Sequence, residues 1–472
     1  MKKGHFPAVP RLQLCLLCLV LAAQAPAQDF AQQPLPPIPA PTKKKHADRN
    51  AKNQPSAPPT LEIPVTPLGY APPAPFYIGN RYTQASLNFL DEDTLLFTFR
   101  VPGLIAREHP TGDQSRQSVR NIRALVLSIS TGQVLAEALW TLHDNGPYLW
   151  ALNNHHFLLR DQNSVQLGDA NLHLEGFLRF PGSVHFLELD PAQRFLVVDS
   201  IEAPAGIAPP KASPEPTQDP ALASADGKSA TDNQYLLRIF QLDTRKMLFL
   251  SRINGIARLP IDGEGYYEPL RGKGNNWVIS YQTFRGPASN LATVESSCTP
   301  SIEVLAHNLV LTSACVNGGG RHLFAIPRGL DPELPKDLAS QSAAITSTTK
   351  DHPKDSEKAK RYQWETSIPA TEVWPLLATA ANGSRLVRAT LEVAHPIGPT
   401  NPLQLEDLRG QSLHVYDTAT GKIALSLTVT PPLDGGGNFA LSPAGNRFAA
   451  LNNGSIQVFD LPPAPPITTP QH

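Results

Sequence analysis

The sequence predicts an all-β fold, a β-propeller of about seven four-stranded blades that follows a disordered, proline-rich N-terminal segment. Two observations lead to this fold class. Short runs of β-branched and aromatic residues alternate with turn residues through most of the chain, whereas helical periodicity is scarce. In addition, two local steps recur in the same order: one joins two strands through a Thr-Gly turn, and the other joins them through a Pro-Ala turn.

The clearest unit lies near the C-terminus. Residues 412–417 alternate apolar and polar side chains as a half-buried strand does, and 423–429 form the next strand. Thr418-Ala419-Thr420-Gly421-Lys422 turns the chain between them, with Gly421 available for a positive φ angle. Three further strands follow before the chain ends in a proline-rich stretch, at 437–442, 446–452 and 455–460.

The same steps occur upstream. Residues 124–129 and 134–140 are two strands that flank Ser130-Thr131-Gly132-Gln133. Residues 184–189 and 194–199 are two strands that flank Asp190-Pro191-Ala192-Gln193. The recurrence predicts repeated blades and argues against the alternative all-β fold, a pair of β-sandwiches.

Two of these turns carry a resemblance to a known family. Leu441-Ser442-Pro443-Ala444-Gly445-Asn446-Arg447 resembles the corner, and 417–422 resembles the turn, of bacterial secreted WD40-like or YVTN-type β-propeller repeat proteins. The resemblance implies a propeller that acts as a binding module. The docking repeat of quinoprotein dehydrogenases shares Asp417, Thr420, Gly421 and Lys422, but Leu425 stands in place of its tryptophan.

Ring closure follows from the strand count. The last unit offers three strands, whereas a blade needs four, and an unpaired edge would promote aggregation. The unassigned run 76–83 precedes the first blade. We therefore expect it to pair with the last strand, 455–461, and to close the ring.

The start of the chain has the pattern of a secretory signal peptide over residues 1–27. Lys2 and Lys3 precede an apolar run at 12–23, and Ala25-Pro26-Ala27 offers small residues at a cleavage site. We expect cleavage after Ala27 and export to the periplasm or the extracellular space. No second long apolar run follows, so the sequence predicts no transmembrane segment in the mature chain.

The 48 prolines of the 472-residue chain mark the other boundaries. Residues 28–75 are expected to be a disordered spacer, because proline lacks the amide donor that helices and sheets use. The propeller is expected to span 76–461, with polar insertions at 202–232 and 331–360. We expect residues 462–472 to form a disordered tail.

Cys298 and Cys315 are the two cysteines that remain after cleavage. They flank two predicted strands, 301–306 and 308–314, which a tight turn near His307 joins into a hairpin. Folding that hairpin places the two cysteines opposite each other. In an exported chain this arrangement predicts one structural disulfide.

His143, Asp144, His155 and His156 are the residues closest to a metal-binding pattern. Neighbouring residues of a strand point to opposite faces, so at most one of His155 and His156 could join His143. We therefore expect polar loop histidines rather than a metal site. No Walker, H-E-x-x-H or G-x-S-x-G sequence occurs. We assign no catalytic, cofactor-binding or metal-binding residue and expect no cofactor.

Two functions remain open. The 40 basic and 41 acidic residues balance to a net charge of −1, which argues against nucleic acid as a partner. The first hypothesis is an exported, non-catalytic module that binds a protein, peptide or glycan. The alternative is an enzyme, quinoprotein-like or a hydrolase, whose active site lies in the central channel. Convergent carboxylates or histidines at the channel mouth would favour the enzyme, and exposed aromatic rings on one rim would favour the module.

Overall fold

The computed structural model describes most of one compact unit, which spans Gln54–His472. The described residues are 58–72, 85–101, 119–143, 147–202, 234–253, 259–284, 286–305, 309–327, 362–397, 403–429, 432 and 437–465. They contain 28 β-strands and a single turn of 3₁₀-helix at Leu405–Asp407.

The strands form seven antiparallel four-stranded sheets arranged in a ring, which confirms the predicted propeller and its blade number. In each of the first six blades the strands run outward from the channel in sequence order. Blades 1 to 3 are β2 (Ala85–Phe89), β3 (Thr94–Arg100), β4 (Arg120–Ser128) and β5 (Val134–Leu142); β6 (Leu149–Ala151), β7 (Phe157–Asp161), β8 (Ser164–Gly168) and β9 (Leu174–Arg179); and β10 (Ser183–Leu189), β11 (Phe195–Glu202), β12 (Gln234–Gln241) and β13 (Met247–Ile253).

Blades 4 to 6 follow the same order. They are β14 (Ile261–Asp262), β15 (Gly265–Arg271), β16 (Asn276–Thr283) and β17 (Ala288–Glu295); β18 (Ser301–Leu305), β19 (Leu309–Cys315), β20 (Arg321–Pro327) and β21 (Trp364–Ile368); and β22 (Glu372–Thr379), β23 (Arg385–Val393), β24 (Leu408–Asp417) and β25 (Ile423–Val429). Blade 7 combines the two ends of the chain: β26 (Phe439–Leu441), β27 (Arg447–Asn452), β28 (Ser455–Asp460) and β1 (Leu61–Pro64).

The ring closes through β1, but this strand is not the one that the sequence predicts. β1 pairs antiparallel with β28, from Leu61 opposite Val458 to Pro64 opposite Ser455. The propeller boundary at residue 76 and the spacer limit at residue 75 are therefore wrong. The predicted strand 76–83 lies outside the described residues. Prolines made the segment look unsuitable for a sheet, yet Pro64 is tolerated because it ends an outer edge strand.

The hydrophobic core lies between blades. The buried apolar residues that the structure describes form seven clusters, one at each interface between neighbouring blades. At the closure, Tyr70 packs edge-on against Phe97 and Phe99 of blade 1, with 5.6 Å between ring centroids in each pair. Because both faces of a blade are covered, most strands bury side chains on both sides.

The Thr-Gly turn of blade 6 shows why its glycine is required. Gly421 has a φ of +67°, and a Cβ atom there would lie 2.6 Å from the indole ring of Trp364 in blade 5. The Trp364 indole also donates to the carbonyl of Thr418 at 2.7 Å. The turn therefore binds the outer strand of the preceding blade as well as reversing the chain.

Both predicted insertions connect neighbouring strands. Glu202 of β11 lies opposite Gln234 of β12, and Ala325 of β20 lies opposite Trp364 of β21. The intervening residues 203–233 and 328–361 lie outside the described part of the chain. The first insertion starts one residue later than predicted, because Glu202 belongs to β11.

The predicted disulfide is present. Cys298 and Cys315 are bonded, with 5.5 Å between their Cα atoms. Cys298 precedes β18, and Cys315 is the last residue of β19 rather than lying beyond it, so the bond joins the open end of the predicted hairpin. Ser297 donates its amide to the carbonyl of Cys315 at 3.1 Å, which fixes the end of the hairpin next to the bond.

Replacing both cysteines by alanine is expected to lower the free energy of unfolding by about 3 kcal/mol. The bond closes a loop with a sequence separation of 17, and removing it restores chain entropy to the unfolded state. Urea unfolding of both proteins measures the difference. Equal free energies of unfolding would show that the bond contributes nothing to stability.

Candidate functional site

A cavity of about 500 Å³ lies in the central channel, and we call it the channel cavity. The innermost strands of blades 2 to 6 all contribute to its wall, so five blades build one site. Its described lining residues are Pro147, Trp150, His185, Phe186, Leu187, Glu188, Leu189, Pro191, Ile261, Glu303, Val304, Leu377 and Thr379. This volume falls within the roughly 300–1,000 Å³ of known ligand sites.

Strand β10 supplies more of the described lining residues than any other strand. Its five consecutive residues from His185 to Leu189 touch the cavity, although successive side chains of a strand point to opposite faces. They all reach it because β10 is the innermost strand of blade 3 and presents an edge to the channel. A bulge between Val184 and Phe186 also breaks the regular alternation there.

The lining mixes apolar and ionisable groups. Trp150 and Phe186, both half-buried, offer aromatic surface, and Ile261 and Leu377 add aliphatic surface. His185, Glu188 and Glu303 bring an imidazole and two carboxylates from blades 3 and 5 to the same cavity. One cavity thus holds two carboxylates and a histidine beside two half-buried aromatic rings, and no exposed aromatic rim is among its described lining residues.

A second cavity of about 700 Å³ lies at the outer end of blades 6 and 7, and we call it the outer recess. Blade 6 contributes hydroxyl, imidazole and carboxyl groups, and blade 7 contributes amide and aromatic groups. The described lining residues are Pro58, Pro59, Glu392, Ser412, His414, Ser426, Leu427, Thr428, Asn452, Gln457 and Phe459.

A partly buried polar network lies beside the outer recess on blade 6. Arg388 donates from Nη2 to Oε2 of Glu372 at 2.8 Å, and Ser412 donates to Glu392. The Nδ1 atom of His414 lies 2.9 Å from Oγ of Ser426. Burial raises the pKa of Glu392, and the nearby Glu372 carboxylate raises this pKa further. Burial lowers the pKa of His414, and the Arg388 cation adds to this effect.

The raised pKa of Glu392 predicts a pH-dependent stability term. The folded protein retains the Glu392 proton at pH values where the unfolded chain has lost it. The free energy of unfolding should therefore fall as pH rises from about 4.5, the ordinary value for glutamate, through the raised folded pKa.

Glu392→Gln should remove this contribution, so that the variant loses less stability than the wild type over that range. Urea unfolding at several pH values measures both slopes. Glu295→Gln on the exposed surface of β17 is the matched control and should keep the wild-type slope. Equal slopes for Glu392→Gln and the wild type would contradict the assignment.

The histidines considered for a metal site contact separate partners. Nδ1 of His143 lies 2.8 Å from Oδ2 of Asp161, and Nδ1 of His155 lies 2.5 Å from Oδ2 of Asp91. His155 and His156 lie in the connection between β6 and β7 rather than in a strand, so the expected alternation of faces does not apply to them. Asp144 lies outside the described residues. Within the described ranges, no three His, Cys, Asp or Glu residues are grouped to hold a metal ion.

Sequence reasoning missed Trp150, His185, Glu188 and Glu303. The usable signal was their position, since each lies on the first strand of a blade and that strand lines the channel. In the described part of the chain, no helix has the length and apolarity to cross a bilayer.

No known family profile matches the chain, and no curated protein matches it. Among solved structures, the acylaminoacyl peptidase of Pyrococcus horikoshii is similar at 9% identity and a TM-score of 0.42, over 78% of this chain and 49% of that one. The Cps50 (Swd1) β-propeller domain of Myceliophteria thermophila is similar at 12% identity and a TM-score of 0.36, over 80% and 97%.

The chain thus spans about half the length of the peptidase it matches. These identities and TM-scores are too low to transfer a function. The protein is a seven-bladed β-propeller on the evidence of its own seven sheets.

Proposed function

We propose that the protein is an exported, non-catalytic binding module that takes a segment of a protein or peptide in its channel cavity. The observation that supports this is the cavity of about 500 Å³ that five blades build together. A site formed by several blades is held by the rigid interfaces between them. Its shape is therefore fixed before a ligand arrives, which lowers the ordering cost of binding.

The mixed lining favours a polypeptide over the other ligands considered. Apolar side chains of a peptide can pack on Trp150 and Phe186, while its amide groups can donate to Glu188 and Glu303. The edge of β10 that faces the channel offers main-chain groups as well. A glycan would use the aromatic rings and carboxylates but few of the aliphatic residues.

A phage-displayed library of random twelve-residue peptides tests the proposal with the wild-type protein as bait. We expect enriched peptides whose affinity falls at least tenfold in Trp150→Ala and in Glu303→Gln. Glu295→Gln, which removes the same charge from the outer strand β17, is the matched control and should bind normally. Failure to enrich any peptide, or equal binding by all variants, would contradict a channel site.

The enzyme alternative rests on the same cavity, because His185 and Glu188 of β10 and Glu303 of β18 line it together and are the residue types of general acid–base catalysis. The two proposals differ in what becomes of the ligand. Mass spectrometry of a selected peptide after long incubation should recover it intact if the protein is a binding module. Turnover that stops in Glu303→Gln would instead support the enzyme.

Export is part of the proposal and rests on the sequence pattern of residues 1–27. The full-length gene product should appear outside the cytoplasm with Gln28 as its first residue, because the small residues Ala25 and Ala27 precede that bond. N-terminal sequencing of the cell-envelope and medium fractions measures this. A mature protein that retains Met1 would contradict it.

A further inference from the structure

The outer recess has an unusual relation to strand β25. Three consecutive residues of this strand, Ser426, Leu427 and Thr428, line the same cavity. Successive side chains of a strand point to opposite faces of the sheet. The cavity also touches Glu392, Ser412 and His414 on the face that carries Ser426 and Thr428, so it covers that face and extends around the outer edge of β25 to Leu427.

This edge carries main-chain groups that face away from the rest of blade 6. β25 is the outermost strand of blade 6, and among the described strands it pairs with β24 alone. The N–H and C=O groups on its other side thus point toward the outer recess. An outer edge of this kind is a template for a further strand.

One side of the edge is polar. The strand register places Ser426 opposite His414 and Thr428 opposite Ser412, so these four side chains share a face of blade 6. Glu392 also lines the recess and accepts a hydrogen bond from Ser412. Side chains that enter the recess on this side would meet hydroxyl, imidazole and carboxyl groups.

The other side is largely apolar. Leu427 points to the face of blade 6 that packs on blade 7, and the ring of Phe459 lies in the same hydrophobic cluster. Pro58 and Pro59, which precede β1, complete this side together with the amide of Gln457. A ligand along β25 would thus meet a polar wall and an apolar wall.

We propose that blade 6 binds an extended segment of a partner protein as a fifth strand along β25. The main chain of the segment pairs with the outer edge of β25. Its alternate side chains enter the polar side at Ser426 and Thr428 and the apolar side at Leu427 and Phe459. This site is separate from the channel cavity and does not depend on the function proposed for it.

The walls define the chemistry of the segment. An extended strand alternates its side chains with a period of two, which matches one polar and one apolar wall. The residues on the polar side should be neutral and hydrogen-bonding, such as serine, threonine or asparagine. The raised pKa of Glu392 weakens its attraction for a basic side chain at mildly acidic pH. The residues on the other side should be apolar.

Selection from a phage-displayed library of random seven-residue peptides provides the first test. We expect a class of peptides with alternating apolar and neutral polar residues. Their affinity should fall at least tenfold in Thr428→Lys, which changes an exposed residue and leaves the core intact, and in Leu427→Ser. Leu135 lies on the outer strand β5 and is 61% exposed. The variant Leu135→Ser is the matched control and should bind normally.

A scan with N-methylated amides on one such synthetic peptide provides the second test. Methylation removes an N–H donor, so strand addition predicts loss of binding at every second position only. Two results would overturn the proposal. One is a selection in which all binders respond to Trp150→Ala and none to Thr428→Lys. The other is a methylation scan without a period of two.

Discussion

Removal of residues 28–70 is expected to lower the free energy of unfolding by at least about 5 kcal/mol, because the cut deletes the strand that closes the ring. The deletion exposes the sites filled by Ile63, Val65 and Tyr70, each of which is at most 4% exposed. Burial of a large apolar side chain contributes about 1.5–3 kcal/mol. The four-residue ladder to β28 is lost as well. Urea unfolding followed by tryptophan fluorescence measures the effect.

Two controls distinguish the effect of losing β1 from the effect of losing the segment that precedes it. Deletion of residues 28–57 ends just before Pro58, keeps β1 in place and should cost far less stability. Within β1, Ile63→Ala should cost about 2–4 kcal/mol, because it opens a cavity in the core. The exposed neighbour Glu62 should tolerate alanine within about 0.5 kcal/mol. If both deletions unfold at the same urea concentration, β1 does not close the ring.

Arg385→Met is expected to lower the free energy of unfolding by about 3–5 kcal/mol, because it leaves a partly buried carboxylate without its partner. The Arg385 side chain is fully buried, and its Nη1 atom lies 2.6 Å from Oδ1 of Asp417. Arg385 also donates to the carbonyl of Pro462, which follows the end of β28 in blade 7. The Arg385→Met variant therefore also loses the hydrogen bond that connects blade 6 to the residues after β28.

Arg194 provides the control: it immediately precedes β11, the second strand of blade 3, whereas Arg385 is the first residue of β23, the second strand of blade 6. The Arg194 side chain is 63% exposed, so Arg194→Met should change stability by no more than about 0.5 kcal/mol. Adding Asp417→Asn to Arg385→Met should recover part of the loss. Equal effects of the two arginine variants would show that the buried ion pair does not matter.

Local sequence patterns predicted most of the fold. The turns at 418–422 and 190–193 predicted the strands around them, because Thr-Gly and Pro-Ala turns restrict the backbone directly. The closing strand was harder to find. Leu61-Glu62-Ile63 is a short alternating run between prolines, and its pairing with residues about 400 positions away leaves no trace in local sequence.

The candidate sites could not be predicted in the same way. Trp150, His185 and Glu303 lie far apart in the chain and share no local motif, so only the ring brings them to one cavity. The sequence of residues 426–428 predicts an ordinary strand and nothing more. Their role depends on the open space beside β25, which is a property of two neighbouring blades and not of the segment itself.

Fluorine NMR of the protein labelled with 5-fluorotryptophan tests the central claim, a polypeptide site in the channel, most directly. The chain has five tryptophans, so five resonances are expected, and Trp150→Phe identifies the one from the channel cavity. Titration with a twelve-residue peptide selected on the wild-type protein should shift the Trp150 resonance and leave that of Trp277, in blade 4, unchanged. A Trp150 resonance that stays in place while the peptide binds would contradict the account.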